Sequence, residues 1–259
     1  DTPSVYEPDK ALLRVGPLEA ATVGNAAIDA NLADDALEAY LEACPEFPDG
    51  SPGAIQRRAL LGEIEAVTKR ASALRGGSAL RSKLVRVDLG NVVVEGRLLG
   101  IGAEARVVPR FSRLGRRSEL SVWLEHLLMQ GSQDGSLPNE TQLVLRCTDT
   151  RADVVQYARV DDPAAELRNL VHLYQRCREE PLPLFERASR NFVEKEREKS
   201  TDAAVGVARK ELRTMRRYHE HLEYLFGTED PFNDDGWTHA FREAAIAVYA
   251  SMFEHRSQS

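Results

Sequence analysis

Between Arg81 and Arg117 the sequence sets nine Lys or Arg against three Asp or Glu, although the 259-residue chain as a whole carries a net charge of −7. Arg110, Arg113, Arg116 and Arg117 cluster at the end of this stretch. A guanidinium stays charged and offers a fork of donors that fits a phosphate, so these four arginines are the candidate DNA-binding residues. Residues 1–49 run the other way, with eleven acids and two bases. The net charge argues against a generic nucleic-acid binder, and the asymmetry fits either a basic working surface in an otherwise acidic protein or ordinary surface charge scatter. Asp88, Glu95 and Glu104 are the acids near the basic stretch that could hold a divalent cation. Strand alternation, however, puts Glu95 on the face of Arg97 and not on that of Leu98. His219 and His221 are two apart on a predicted helix and point different ways. His219 and Glu223 share a face, but two ligands make a poor metal site. The Gly-rich pieces Gly76-Gly77 and Gly100-Ile101-Gly102 lack the Lys and Ser/Thr of a phosphate loop, and no G-x-S-x-G elbow occurs.

Two strands and a helix must position the basic cluster. Val92–Leu98 is a β-branched run, and Glu104–Pro109 is a second one, closed by a proline that cannot donate to a ladder. Gly100 and Gly102 supply turn chemistry between them. Ser118 predicts a helix cap, with Glu119 near the positive end of the dipole. Leu120, Trp123, Leu124, Leu127 and Leu128 recur at helical spacing and predict one apolar face. Lys83–Leu89 alternates and predicts the strand before this unit.

Upstream, Asp9–Leu18 and Ala26–Cys44 have helical composition, with Ile28, Leu32, Leu37 and Leu41 on one face of the second. Cys44–Gly53 is dense in Pro and Gly and reads as a linker. Ile55–Leu74 predicts a helix ended by Gly76-Gly77. Downstream, a loop over Gln130–Asn139 precedes strands at Thr141–Cys147 and Val154–Val160. Asp162-Pro163 opens a helix that Pro181 and Pro183 stop, with Leu167, Leu170, Val171 and Tyr174 facing inward. Leu184–Phe226 is helical in pattern almost throughout. It carries an apolar stripe (Ala208, Leu212, Met215, Leu222, Phe226) and a basic one (Arg209, Arg213, Arg216). Trp237–His255 predicts a last amphipathic helix.

The hydrophobic fraction of 42% and charged fraction of 29% describe a chain able to build a real core. No apolar run nears the roughly 18–20 residues that span a bilayer. Cys44, Cys147 and Cys177 are widely spaced and odd in number, which leads us to expect a reducing, cytoplasmic setting. The opening at Asp1, without Met, leads us to expect a fragment of a longer chain.

The strand–turn–strand–helix unit resembles the heart of the PD-(D/E)XK nuclease fold. More narrowly, VEGRLLGI, VVPRFSRL and SVWLEHLLM resemble the C-terminal domain of RecC, the gamma subunit of exodeoxyribonuclease V. LVHLYQRCREEPLPLF and, upstream, FPDGSPGAIQRRALLGEI are similar to further segments of that family. The resemblance implies an α+β fold: a central mixed sheet flanked by helices, with extra helices at both ends. Residues 1–80 would form a helical lead-in packed on the core. Residues 81–259 would form an inactivated nuclease-like domain with a helical C-terminal layer.

An active member of the fold needs two carboxylates on adjacent strands for Mg²⁺ and a lysine beside the second. By resemblance the first acid position is Leu99, the second is Val108 and the lysine position is Arg110. Both metal positions are apolar and the third cannot serve as a base. The resemblance therefore implies no catalytic residue, no metal and no cofactor here. It also implies DNA, RecB and RecD as partners in a heterotrimer that unwinds and degrades duplex ends, with RecD held at this end of RecC. Two alternatives stay open: an active nuclease with migrated carboxylates, and an interaction module without DNA contact.

Overall fold

A computed structural model describes residues 15–113, 117–132, 134–148, 151–218, 220–227 and 229–258. Its centre is a six-stranded mixed sheet made of β1 (Arg81–Asp88), β2 (Val93–Ile101), β3 (Arg106–Arg110), β4 (Thr141–Thr148), β5 (Arg151–Tyr157) and β6 (Arg256–Gln258), in that spatial order. All neighbours are antiparallel except β3 and β4, which run parallel. Parallel neighbours need a crossover, and the helix between them supplies it. Helices surround the sheet: α1 (Pro17–Asp29), α2 (Asp34–Ala43), α3 (Gly50–Arg75), α4 (Arg117–Gly131), α5 (Pro163–Glu179), α6 (Glu186–Glu198), α7 (Thr201–Arg216), α8 (Glu220–Phe226) and α9 (Asp235–Glu254).

The two sheet faces are covered differently. Val85, Val87, Leu98, Ile101, Val108, Leu143, Leu145, Val155 and Tyr157 face α4 and the C-terminal helices in the main core. Val107 and Val144 point to the other face, against Val67 and Ala71 of α3. Leu143, Val144 and Leu145 are all fully buried because β4 is covered on both sides. The helix α3 reaches β3, β4 and β5 but leaves the outer face of the β1–β2 hairpin open. Leu84 and Leu99 consequently remain exposed there. A third cluster joins Val23, Leu37, Leu41, Phe47, Leu60 and Ile64 to Phe111, so the first helices are seated on the end of β3. Among the described residues, no helix is long and apolar enough to cross a membrane.

Several expected boundaries move. The helix expected over Ala26–Cys44 is two helices, because Asn31 and Asp34 take positive φ, a conformation these short polar side chains tolerate. The linker expected over Cys44–Gly53 ends at Asp49. Gly50–Gly53 form the first turn of α3, where the missing amide hydrogen of Pro52 costs no bond. Gly53 is required there: a Cβ would lie 1.7 Å from the Pro48 carbonyl oxygen. Pro109 does not end β3 but pairs within it, opposite Val144. Ser118 is no cap. It lies inside the first turn of α4 and shares a hydrogen bond with the Ser112 hydroxyl at 2.8 Å. Leu124 and Tyr174 turn outward, whereas Val122, His126 and Leu173 turn in. The expected long helix over Leu184–Phe226 is α6, α7 and α8, with the Ser200 hydroxyl accepting from the Ala203 amide to start α7. Strand β6, three polar residues with no local strand signal, was not expected at all.

Candidate functional site

Strands β2 and β3 meet at a single bridge, Ile101 with Arg106. Beyond it they part and leave a cleft of about 310 Å³ lined by Asp29, Asn31, Arg75, Arg97, Leu99, Gly100, Glu125 and Arg106–Arg110, among others. The cause is local. Gly100 has φ +75°, and a Cβ there would lie 2.4 Å from the Val107 carbonyl oxygen. Only glycine permits that approach, and its backbone resets the alternation of β2. Leu98 and Ile101, three residues apart, both enter the main core, while Leu99 between them turns out. Gly100 is thus a kink inside β2, and the turn follows it, closed by the Gly102 amide donating to the Ala105 carbonyl at 3.0 Å.

The structure therefore gathers Leu99, Val108 and Arg110 at one cleft without aligning them on one face. Leu99 is 57% exposed, Val108 is buried in the main core, and Arg110 is half-buried. Arg110 lies 3.5 Å from the Asp29 carboxylate at the end of α1. Arg113 follows as an exposed side chain. Arg116 lies outside the described residues, as does His219, and Arg117 opens α4 with its side chain undescribed. Asp88, Glu95 and Glu104 do not line the cleft. Asp88 accepts from the Gly90 amide at 2.8 Å in the β1–β2 turn, Glu95 sits opposite Arg86, and Glu104 is exposed in the β2–β3 turn.

The residue that organises the cleft is Arg106, only 2% exposed. Its Nε donates to the Leu99 carbonyl at 2.9 Å, and its Nη2 is paired with the Glu125 carboxylate of α4. Burial pulls its pKa down, Glu125 opposes that, and the neighbouring Arg110 adds to it. Its other terminal nitrogen, Nη1, is buried without a hydrogen-bond partner, as is Nε of Arg75. The carboxylates at the cleft are Asp29 and Glu125 and not Asp88, Glu95 or Glu104: Glu125 is paired with Arg106, and Asp29, two-thirds exposed, has one oxygen 3.5 Å from Arg110. A Mg²⁺ ion needs several free oxygen ligands in octahedral array. Glu125 is taken up by Arg106, and Asp29 alone leaves too few carboxylate oxygens beside Arg75, Arg97 and Arg110, which repel a cation, so the residues do not fit that ion. Among the described residues no group of three or more His, Cys, Asp and Glu side chains converges elsewhere.

The next residue of α4, His126, faces the core instead. It is fully buried, with Nδ1 3.0 Å from the Thr141 hydroxyl and Nε2 3.0 Å from the Ala158 carbonyl. Burial lowers its pKa from 6.5 to about 4, the Ala158 carbonyl works against this, and Arg106 and His255 add to it. The unfolded chain takes up this proton near its ordinary pKa, and the folded chain resists until about 4. Stability is therefore full above that window and lost as pH falls through it, by about 3 kcal/mol for a shift of this size. Urea unfolding of the native chain and of His126→Gln at pH 7 and pH 4.5 should show the difference between them shrinking at the lower pH. A constant difference would contradict a neutral buried imidazole.

A second buried polar group also escaped the sequence reading. Glu119, expected only to meet the dipole of its helix, is 1% exposed and binds two arginines. The Arg190 Nε donates to it at 3.2 Å and the Arg256 Nε at 3.1 Å, while Arg190 reaches Glu194 at 2.9 Å. Both guanidiniums stack near the Phe253 ring. This group ties α4, α6 and β6 together.

Residues 5–197 match the family described as the RecC C-terminal domain. No curated protein matches the chain. The matched segment contains the whole hairpin, the arginine-lined cleft and α4, and membership of the family implies a role in the RecBCD complex and DNA repair. The α+β chain with this mixed sheet and cleft belongs to the RecC C-terminal domain family.

Proposed function

We propose that this chain is a non-catalytic DNA-handling and subunit-docking domain of RecC, working in double-strand break repair beside RecB and RecD. The core order supports a PD-(D/E)XK-like ancestry: α3, then the antiparallel β1–β2–β3, then α4 crossing over to β4 parallel with β3. One observation carries the non-catalytic reading. At the cleft where that fold would hold its metal, Leu99 and Val108 offer no carboxylate, Glu125 is paired with Arg106, and Asp29 faces Arg110 at 3.5 Å. Arg110 and Arg113 then lie along the proposed DNA path, beside an open hairpin face.

Linear duplex and single-stranded DNA incubated with Mg²⁺ or Mn²⁺ should yield no products. Cleavage that disappears on Glu125→Gln or Asp29→Asn would instead establish a nuclease with migrated carboxylates.

The basic stripe of α7 has less to offer a partner than the sequence suggests. Arg209 and Arg213 bind Asp230 at 3.1 and 2.9 Å, and Arg216 donates to the carbonyls of Gly227 and Glu229. These arginines hold the segment after α8 in place.

A further inference from the structure

We infer that the β2–β3 cleft is a seat for one phosphate of a single DNA strand, held by Arg75, Arg97 and Arg110 over the buried charge of Arg106. The inference rests on the DNA-handling reading for its ligand and names the site that reading leaves open. Four arginines line the cleft against two carboxylates. Glu125 is paired with Arg106 and Asp29 with Arg110, and among the described residues neither Arg75 nor Arg97 forms an ion pair. The excess is therefore positive, and part of it sits out of water. Arg106 and Arg110 are close enough for each to oppose the other's charge, and burial also weakens the charged form of Arg75. A buried guanidinium nitrogen without a partner is costly, and Arg106 and Arg75 each hold one. An anion among them offsets the repulsion, and a phosphate suits the forks of the more exposed guanidiniums. The cleft, about 310 Å³, has room for one phosphodiester and its sugar, and a single strand leaves the next base free to lie on the face beside it. Leu84 and Leu99, exposed on the adjoining hairpin face, give the neighbouring sugar or base an apolar surface. The site that held a cation in the ancestral fold would thus bind directly the phosphate that the cation once bridged.

The test uses the whole chain and a fluorescent oligothymidylate, with affinity measured over a range of salt. Arg97→Gln with Arg110→Gln should weaken binding roughly tenfold. The same variant should lower the slope of log affinity against log salt by about 0.7, the value for one single-strand phosphate. Arg168→Gln with Arg178→Gln, an equal charge loss on α5, should change neither by that much. Equal losses in both double variants, or none in the first, would overturn the cleft and leave DNA handling intact. If the native chain binds no single strand, the DNA-handling reading fails by itself. Titration with pyrophosphate at constant ionic strength then decides the site. Movement of the Arg97 and Arg110 Nε–H resonances would retain an anion site for a free phosphate, and unmoved resonances would remove it.

Discussion

Replacing Glu119 with alanine is expected to lower the unfolding free energy by about 3 kcal/mol, because it removes the buried carboxylate that two guanidiniums share and leaves them only the half-exposed Glu194. Arg190 and Arg256 are 7% and 11% exposed, so neither can recover its hydration without opening the seam among α4, α6 and β6. Burial, with the Glu119 charge adding to it, holds the Tyr157 phenol well above its usual pKa, and the Tyr157 hydroxyl donates to the Glu119 carbonyl at 3.3 Å. Urea unfolding at neutral pH should show a lower midpoint with an unchanged slope. Replacing the three charged residues together by apolar ones of similar volume should restore most of the loss, since a buried ion cluster is often exchangeable for packing. A loss below about 1 kcal/mol in Glu119→Ala would mean that water reaches the cluster and that the seam is held by packing alone.

A chain that ends before Trp237 is expected not to fold. Phe241, Ala245 and Met252 of α9 are fully buried, and Tyr249 and Phe253 nearly so. Trp237 and Phe241 stack 5.7 Å apart among Phe232, Phe226 and Phe185. Deleting one large buried side chain typically costs about 2–5 kcal/mol, against a total stability of about 5–15 kcal/mol. Losing several of them, and Arg256 with them, exceeds the total. The deletion also removes β6 from β5, where Val155, Gln156 and Tyr157 pair with Gln258, Ser257 and Arg256. Circular dichroism of the truncated chain should show no cooperative melt, and a native-like melt would count against α9 as core. The proposed docking of RecD is therefore better probed by substitutions at exposed positions such as Tyr218 and Tyr224. Loss of RecD from an unfolded truncation would say nothing about docking.

The two sites differ in how far they could be read from the residue string. Leu99, Val108 and Arg110 were placed by the motifs around them, and all three do line one cleft. Glu125 was hidden in an apolar helix and Asp29 in a distant one. No spacing links either to β3, because both meet Arg106 and Arg110 across tertiary contacts. Gly100 was legible as a glycine with a role, but as a turn residue. That it kinks a strand follows only from the Val107 carbonyl lying against it.

By itself the sequence determined the elements whose signals are local. The alternation of β1, the Asp162-Pro163 start of α5, the order of strands and helices and the basic bias of the hairpin all follow from neighbouring residues. So does the resemblance that the family match then established. Only the tertiary structure decided which charges are buried. Arg106, Glu119, Arg190 and His126 look like surface residues in the string, because local pattern records polarity and not depth. Their burial depends on which layers close over them, and the charged partners that offset its cost lie 19 residues away for Arg106 and up to 137 away for Glu119. The cleft between β2 and β3 needs both: Gly100 kinks β2 locally, but the residues of β3 after Arg106 stay with β4 across a tertiary pairing, and the edge left open becomes the cleft.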